Sequence, residues 1–72
     1  MEIKKETKLE GAFDGYGQDK VFTFTNGEKW QQSRYKYKYK YKYRPTVKLW
    51  KDGSRHYLEF DCMTEMVEVK RI

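Results

Sequence analysis

The 72-residue sequence predicts an all-β fold, a small barrel or rolled antiparallel sheet of five to six strands, and three observations carry that reading. Apolar and polar residues alternate over several short stretches. Gly-containing turns of the hairpin kind separate those stretches, and nowhere do apolar residues recur at helical spacing. Helix content is expected to be near nil. The chain reads as one domain over residues 1–72, near the lower size limit for a core that folds without a covalent or metal staple. Charged residues make up 38% of it, but 18% aromatic residues and a single proline set it apart from disordered chains.

The elements follow in order. In KLEGAFD, Leu9, Gly11 and Phe13 alternate as one strand face, and FDGYGQD (13–19) reads as a flexible loop after it. VFTFT (21–25), an Asn-Gly pair and EKWQQ (28–32) form a hairpin signal. A two-residue Asn26-Gly27 turn would set Trp30 opposite Thr23. A three-residue Thr25-Asn26-Gly27 loop with Gly27 left-handed would pair Phe22 with Trp30 and Phe24 with Glu28. The second is preferred, because it gathers three aromatic residues on one buried face.

Tyr35 to Tyr43 reads YKYKYKYKY. Strict alternation places every Tyr on one face of a strand and every Lys on the other, whereas a helix would scatter both, so one long strand is expected. The tyrosines share parity with Val47 and Leu49 and would turn toward the core, unless Pro45 bends the chain and resets that relation. TVKLWK (46–51), Asp52-Gly53 and SRHYLEF (54–60) form a second hairpin. A two-residue turn there pairs Leu49 with His56 and Val47 with Leu58, and sets Trp50 opposite Arg55 and Lys48 opposite Tyr57 on the outer face. Val67 and Val69 alternate in VEVKRI as a last strand that closes the sheet with the first.

FTFTNGEKWQQ, VKLWKDGSRHYLEF and VEVKRI together resemble a group of short bacterial SH3-like domains with the pattern Phe-x-Leu-x-Asn-Gly-Gln-x-Trp-x-Gln. The resemblance runs from about Leu9 to Ile72 and is most specific at Phe22, Asn26, Gly27, Trp30 and Gln32; Phe24 and Glu28 depart from the pattern. It implies an SH3-like barrel, also the commonest size match for such a strand set, and it implies no functional residues.

Charge is distributed unevenly. Residues 34–57 carry 9 Lys and Arg against 1 Asp, residues 1–33 carry 5 against 6 acids, and residues 58–72 carry 2 against 4. A local basic block attracts polyanions more strongly than a uniform excess would. One Cys and one His supply neither an internal disulfide nor a four-ligand zinc site, and no cofactor is expected. The polar start, without a signal-peptide apolar run, and the lack of any bilayer-length apolar segment make a cytoplasmic protein without membrane association the default. Cys62 could act as a nucleophile only with His56 in hydrogen-bond reach, which nothing in the spacing requires, so no enzyme is expected. Gly15 and Gly17 lack the context of a phosphate loop, and Asp14 and Asp19 lack calcium-loop spacing.

The candidate site is therefore a basic aromatic face. In one reading Tyr37, Tyr39, Tyr41, Trp50 and Tyr57 stack on bases while Arg34, Lys36, Lys38, Lys40, Lys42, Arg44 and Arg55 meet phosphates of a single-stranded nucleic acid or another polyanion. Lys48 completes the Trp50 patch, which could equally recognise an extended, proline-rich peptide. In the other reading the Tyr/Lys strand is an edge that pairs with a protein partner, as a homodimer or by heteromeric strand addition. In the plain structural alternative, the five tyrosines pack against the sheet, the lysines are solvated, and no ligand is involved.

Overall fold

The computed structural model describes all 72 residues as eight strands with no helix: β1 (Glu2–Lys8), β2 (Ala12–Tyr16), β3 (Val21–Thr23), β4 (Lys29–Gln32), β5 (Lys38–Tyr43), β6 (Thr46–Asp52), β7 (Arg55–Phe60) and β8 (Met66–Arg71). Six form one antiparallel sheet in the order β1-β6-β7-β8-β4-β3, and β2 and β5 form a separate two-stranded ribbon. Eight strands exceed the expected five to six, and the expected Tyr/Lys strand lies in the ribbon rather than in the large sheet. The last strand does not close the sheet with the first: β8 lies inside it between β7 and β4, and the sheet rolls until its edges β1 and β3 touch at one end. There Leu9 bridges Phe24, Glu10 N–H donates to Thr23 O (2.7 Å) and Thr25 N–H donates to Lys8 O (3.1 Å).

The first hairpin has the three-residue loop. Phe22 pairs with Trp30, Phe24 N–H donates to Glu28 O (2.8 Å), and Gly27 sits at φ +94°. Phe22, Phe24 and Trp30 are all buried, which is what fixes the register, since a slip of one residue would turn them to solvent. Glu28 holds the loop to its surroundings. Its carboxylate accepts hydrogen bonds from the Lys5 ammonium, Asn26 Nδ2 (3.1 Å) and Trp30 Nε1 (3.2 Å), with Arg71 at 3.8 Å.

The Lys5 bond, with the Trp30 and Asn26 bonds behind it, outweighs partial desolvation and lowers the Glu28 pKa from 4.5 to about 2. A carboxyl with a folded pKa below its unfolded one contributes stability that is complete above pH 4.5 and disappears as pH falls toward 2. Glu28→Gln is expected to cost on the order of 1 kcal/mol at pH 7 and to flatten this acid limb in urea titrations run across that range.

The second hairpin is shifted by two residues from the expected pairing. Leu49 opposes Leu58, Val47 opposes Phe60, Trp50 opposes Tyr57, Lys48 opposes Glu59 and Asp52 opposes Arg55. The turn is Gly53-Ser54, not Asp52-Gly53. Only Gly53 takes positive φ (+64°), so glycine occupies the first central position, as in a II′ hairpin turn. A shift of two preserves every face, so the inward set stays Val47, Leu49, Leu58 and Phe60. His56 lies opposite Lys51 rather than Leu49, half-buried with its ring 5.0 Å from that of Trp30.

Two further expectations fail at the N-terminal end. KLEGAFD is not one strand: β1 ends at Lys8, Leu9 makes only an isolated bridge to Phe24, and β2 begins at Ala12 after the turn. The charged β1 lies at the edge of the sheet against β6, where both its faces tolerate polar residues. FDGYGQD is no flexible loop. Phe13 and Tyr16 are buried, and Phe13 stacks on Phe60 (centroids 4.1 Å apart) within a cluster that includes Phe22. The chain turns at Gly11 (φ +84°), leaves the sheet and re-enters the core from the ribbon. The glycines that suggested a loop serve a strand pairing instead.

Candidate nucleic-acid interface

β5 hangs on the molecule by one edge. It pairs with β2 through Ala12↔Tyr43, Phe13↔Lys42, Gly15↔Tyr39 and Tyr16↔Lys38, with a bulge between Phe13 and Gly15 that leaves two residues of β5 opposite Asp14. Directly opposed residues share a face. Lys42 and Lys38 therefore lie on the side of the buried Phe13 and Tyr16, and the tyrosines lie on the outside. This reverses the orientation expected from parity with Val47.

The reversal arises at Arg44-Pro45. Arg44 adopts φ +49° and donates its N–H to Gly11 O (2.9 Å), Pro45 is fully buried, and Pro45 O accepts from Leu9 N–H (3.1 Å). The chain passes from ribbon to sheet across these two residues, so alternation in β5 has no bearing on alternation in β6. The long strand is also shorter than expected, because residues 33–37 are irregular and only Lys38–Tyr43 is strand.

The consequence is an exposed row of phenol rings. Tyr35, Tyr37, Tyr39, Tyr41 and Tyr43 are 59–71% accessible, and none belongs to the hydrophobic core. The lysines face the β7–β8 turn and are partly neutralised there. Lys42 Nζ pairs with Asp61 (3.0 Å), Lys36 Nζ donates to Met66 O (2.9 Å) with Glu65 at 3.9 Å, and Arg34 pairs with Glu68 (3.3 Å). Burial raises the Asp61 pKa, but the bonds from Lys42 and the Thr46 main chain more than offset it, so the carboxyl titrates below its usual range. Lys38, Lys40 and Arg44 make no ion pair.

Gln32 positions the start of the tract. It is 1% exposed and fully bonded: Oε1 accepts from Gly17 N–H (3.0 Å), and Nε2 donates to Arg34 O (2.8 Å) and Lys36 O (3.1 Å). Gln32→Leu would leave three main-chain groups without partners. It is expected to lower unfolding free energy by about 2–3 kcal/mol and to speed amide exchange over residues 34–37, both read from urea titration and hydrogen exchange. Tyr16 ties the same region from below, its OH donating to Glu65 O (2.7 Å), and burial foremost, then Cys62 and the nearby acids, push its phenol up.

The remaining candidates form a second group. Trp50 lies on the outer face of the sheet between Ile3 and Tyr57, and its Nε1 donates to Glu59 (2.9 Å). Lys48 lies between Glu6 and Glu59, and Arg55 is exposed opposite Asp52. This face is mixed in charge, unlike the basic patch the hairpin suggested. The two groups meet at a groove of about 270 Å³, lined by Tyr35 from the tract and Tyr57 from β7.

His56 and Cys62 lie at opposite ends of β7 and are not brought together. Burial, then Asp61, push the Cys62 thiol up, which disfavours the nucleophilic thiolate. Gly17 N–H is committed to Gln32, Asp14 is paired with Lys20 (2.6 Å), and no three His, Cys, Asp or Glu side chains are grouped to hold a metal ion. No helix is long and apolar enough to cross a membrane.

Asp61, Glu65, Glu68 and Gln32 are the contributors sequence reasoning missed. The acid excess of residues 58–72 beside the basic block was the available signal, but pairing the two segments needs the topology. Compared with family models, with curated proteins and with solved structures, the chain matches none.

Proposed function

We propose that this chain is a non-enzymatic, cytoplasmic binding module that takes single-stranded nucleic acid on the tyrosine row of the tract. The observation that carries it is the exposure of all five rings, three of which, Tyr39, Tyr41 and Tyr43, alternate along β5. Alternate residues of a strand lie about 6.8 Å apart, twice the rise of about 3.4 Å per stacked base, so one base fits between neighbouring rings. Stacking of this kind is indifferent to sequence and contributes about 1–3 kcal/mol per base.

Phosphate contacts come from the three cations of the tract that make no ion pair, Lys38, Lys40 and Arg44, rather than from the whole block. Each phosphate neutralised on a single strand contributes about 0.7 to the slope of log affinity against log salt, so a slope of about −2 is expected. Replacing Lys38 and Lys40 with Ser should remove about two-thirds of that slope. Replacing Lys36 and Lys42, already held by Glu65 and Asp61, should change it little. Equal effects from the two pairs would contradict this assignment.

A second reading is favoured by the free edge of β5. The Arg44 bond to Gly11 flanks the Ala12↔Tyr43 pair, so Tyr43 directs its own N–H and C=O away from β2, where no strand meets them. That edge suits an added strand from another protein. It suits a second copy poorly. Two β5 strands related by a two-fold axis keep the same face up, which sets lysine against lysine across the seam. Light scattering is expected to find a monomer; a dimer persisting in about 1 M salt, where the Debye length is about 3 Å, would instead make β5 a self-pairing interface.

A further inference from the structure

The groove between the two aromatic groups has a chemistry the open tyrosine row lacks. Tyr35 and Tyr57 line it with phenol rings and Met66 with a flexible thioether. At its rim Arg34 Nε and Glu68 Oε1 lie 3.3 Å apart, a donor beside an acceptor, with Arg34 largely exposed. Glu68 also directly opposes Tyr57 across β7 and β8, so the carboxylate and that ring lie side by side on one face. Gln32 fixes the main chain at Arg34 and Lys36, and Lys36 is bonded to Met66 O, so the tract is held where it passes this face.

Among the bases, only guanine presents an acceptor followed by two adjacent donors along its pairing edge: O6, N1–H and N2–H. Arg34 supplies a donor for O6, and the Glu68 carboxylate supplies two acceptors for the paired N–H groups, in the fork geometry that carboxylates accept best. Adenine and cytosine each set an acceptor beside their amino group, facing the carboxylate unfavourably, and uracil or thymine offers one donor between two carbonyls. From this complementarity we infer that the groove is a guanine subsite at the Arg34 end of the tract, which gives an otherwise sequence-neutral surface a preference for one base. The inference rests on the nucleic-acid reading of the tyrosine row, because the guanine arrives as part of a strand already stacked there.

The test compares labelled single strands of equal length, oligo(dT) and oligo(dT) with one internal dG, by fluorescence anisotropy with the wild-type chain and with Glu68→Gln. The dG strand is expected to bind about tenfold more tightly than oligo(dT) to the wild type, the discrimination a good bidentate contact gives. Glu68→Gln should remove that preference, since Gln sets an N–H where guanine needs an acceptor, and should not weaken oligo(dT) binding, because it releases the Arg34 cation from its ion pair. Arg34 is largely exposed and Glu68 half-buried at the rim, and loss of a surface ion pair of this kind changes folding little, so the variant remains interpretable. Equal binding of both strands to the wild type, or a dG preference that survives Glu68→Gln, overturns the subsite while the tyrosine row stands. Failure of both strands to bind overturns the nucleic-acid reading and the subsite with it.

Discussion

Replacing Tyr39, Tyr41 and Tyr43 with Ser is expected to leave the fold intact and to weaken single-strand binding on the order of 100-fold or more, taking the low end of the stacking contribution for each of three bases. These rings are 59–67% exposed and outside the core cluster, so their removal should shift unfolding free energy by no more than about 0.5 kcal/mol. The combination separates the account from the view that the tyrosines stabilise the sheet. A structural role would give the opposite pattern, with lowered stability and unchanged binding. Titration of a labelled oligo(dT) alongside urea unfolding of the same variant reads both quantities.

Gly15→Ala should have the largest effect on stability. Gly15 sits at φ +108°, where a side chain is strained, and an added Cβ would fall 2.0 Å from Lys38 O and 3.0 Å from Lys40 N, both main-chain atoms of the partner strand. Neither can yield without breaking the pairing of β2 with β5. Strain and lost pairing together are expected to cost on the order of 4 kcal/mol, against a total near 4–11 kcal/mol for a chain of this length. Gly11→Ala is the internal comparison. Gly11 has φ +84° but open space around it, so only backbone strain is added, about 1 kcal/mol. Comparable losses at both positions would mean that the close approach at Gly15 has been misjudged.

The chain makes clear which parts of such a fold are legible in sequence. The register of the first hairpin could be read because Phe22, Phe24 and Trp30 had to share a face, and only one loop length allowed it. The second hairpin was read with the right faces and the wrong turn, since a shift of two residues leaves burial unchanged and only the preference of glycine for the first turn position distinguishes the pairings. β2 was hidden because Gly15 within it and Gly17 just after it signal a loop, while the need for Gly15 comes from a strand more than twenty residues away. The direction of the tyrosine face stayed open for a similar reason: alternation fixes which residues share a face of the strand but not which way that face points. Arg44, left-handed before a buried Pro45, sets that direction; the proline signals a bend, but its effect depends on the Arg44 conformation, which the sequence does not report. The acids that hold Lys36 and Lys42 lie in a turn whose position depends on the whole sheet.

The central claim is that YKYKYKYKY is a base-stacking surface and not only a charged edge. The most direct measurement compares oligo(dT) with an abasic strand of equal length, the same phosphates without bases, by anisotropy titration at low salt. Saturable binding of oligo(dT) and a loss on the order of 100-fold for the abasic strand are expected, because the lost contribution is that of the rings. Equal affinity for the two strands, or no binding of oligo(dT), would contradict it and leave the free edge of β5 as the functional feature of this molecule.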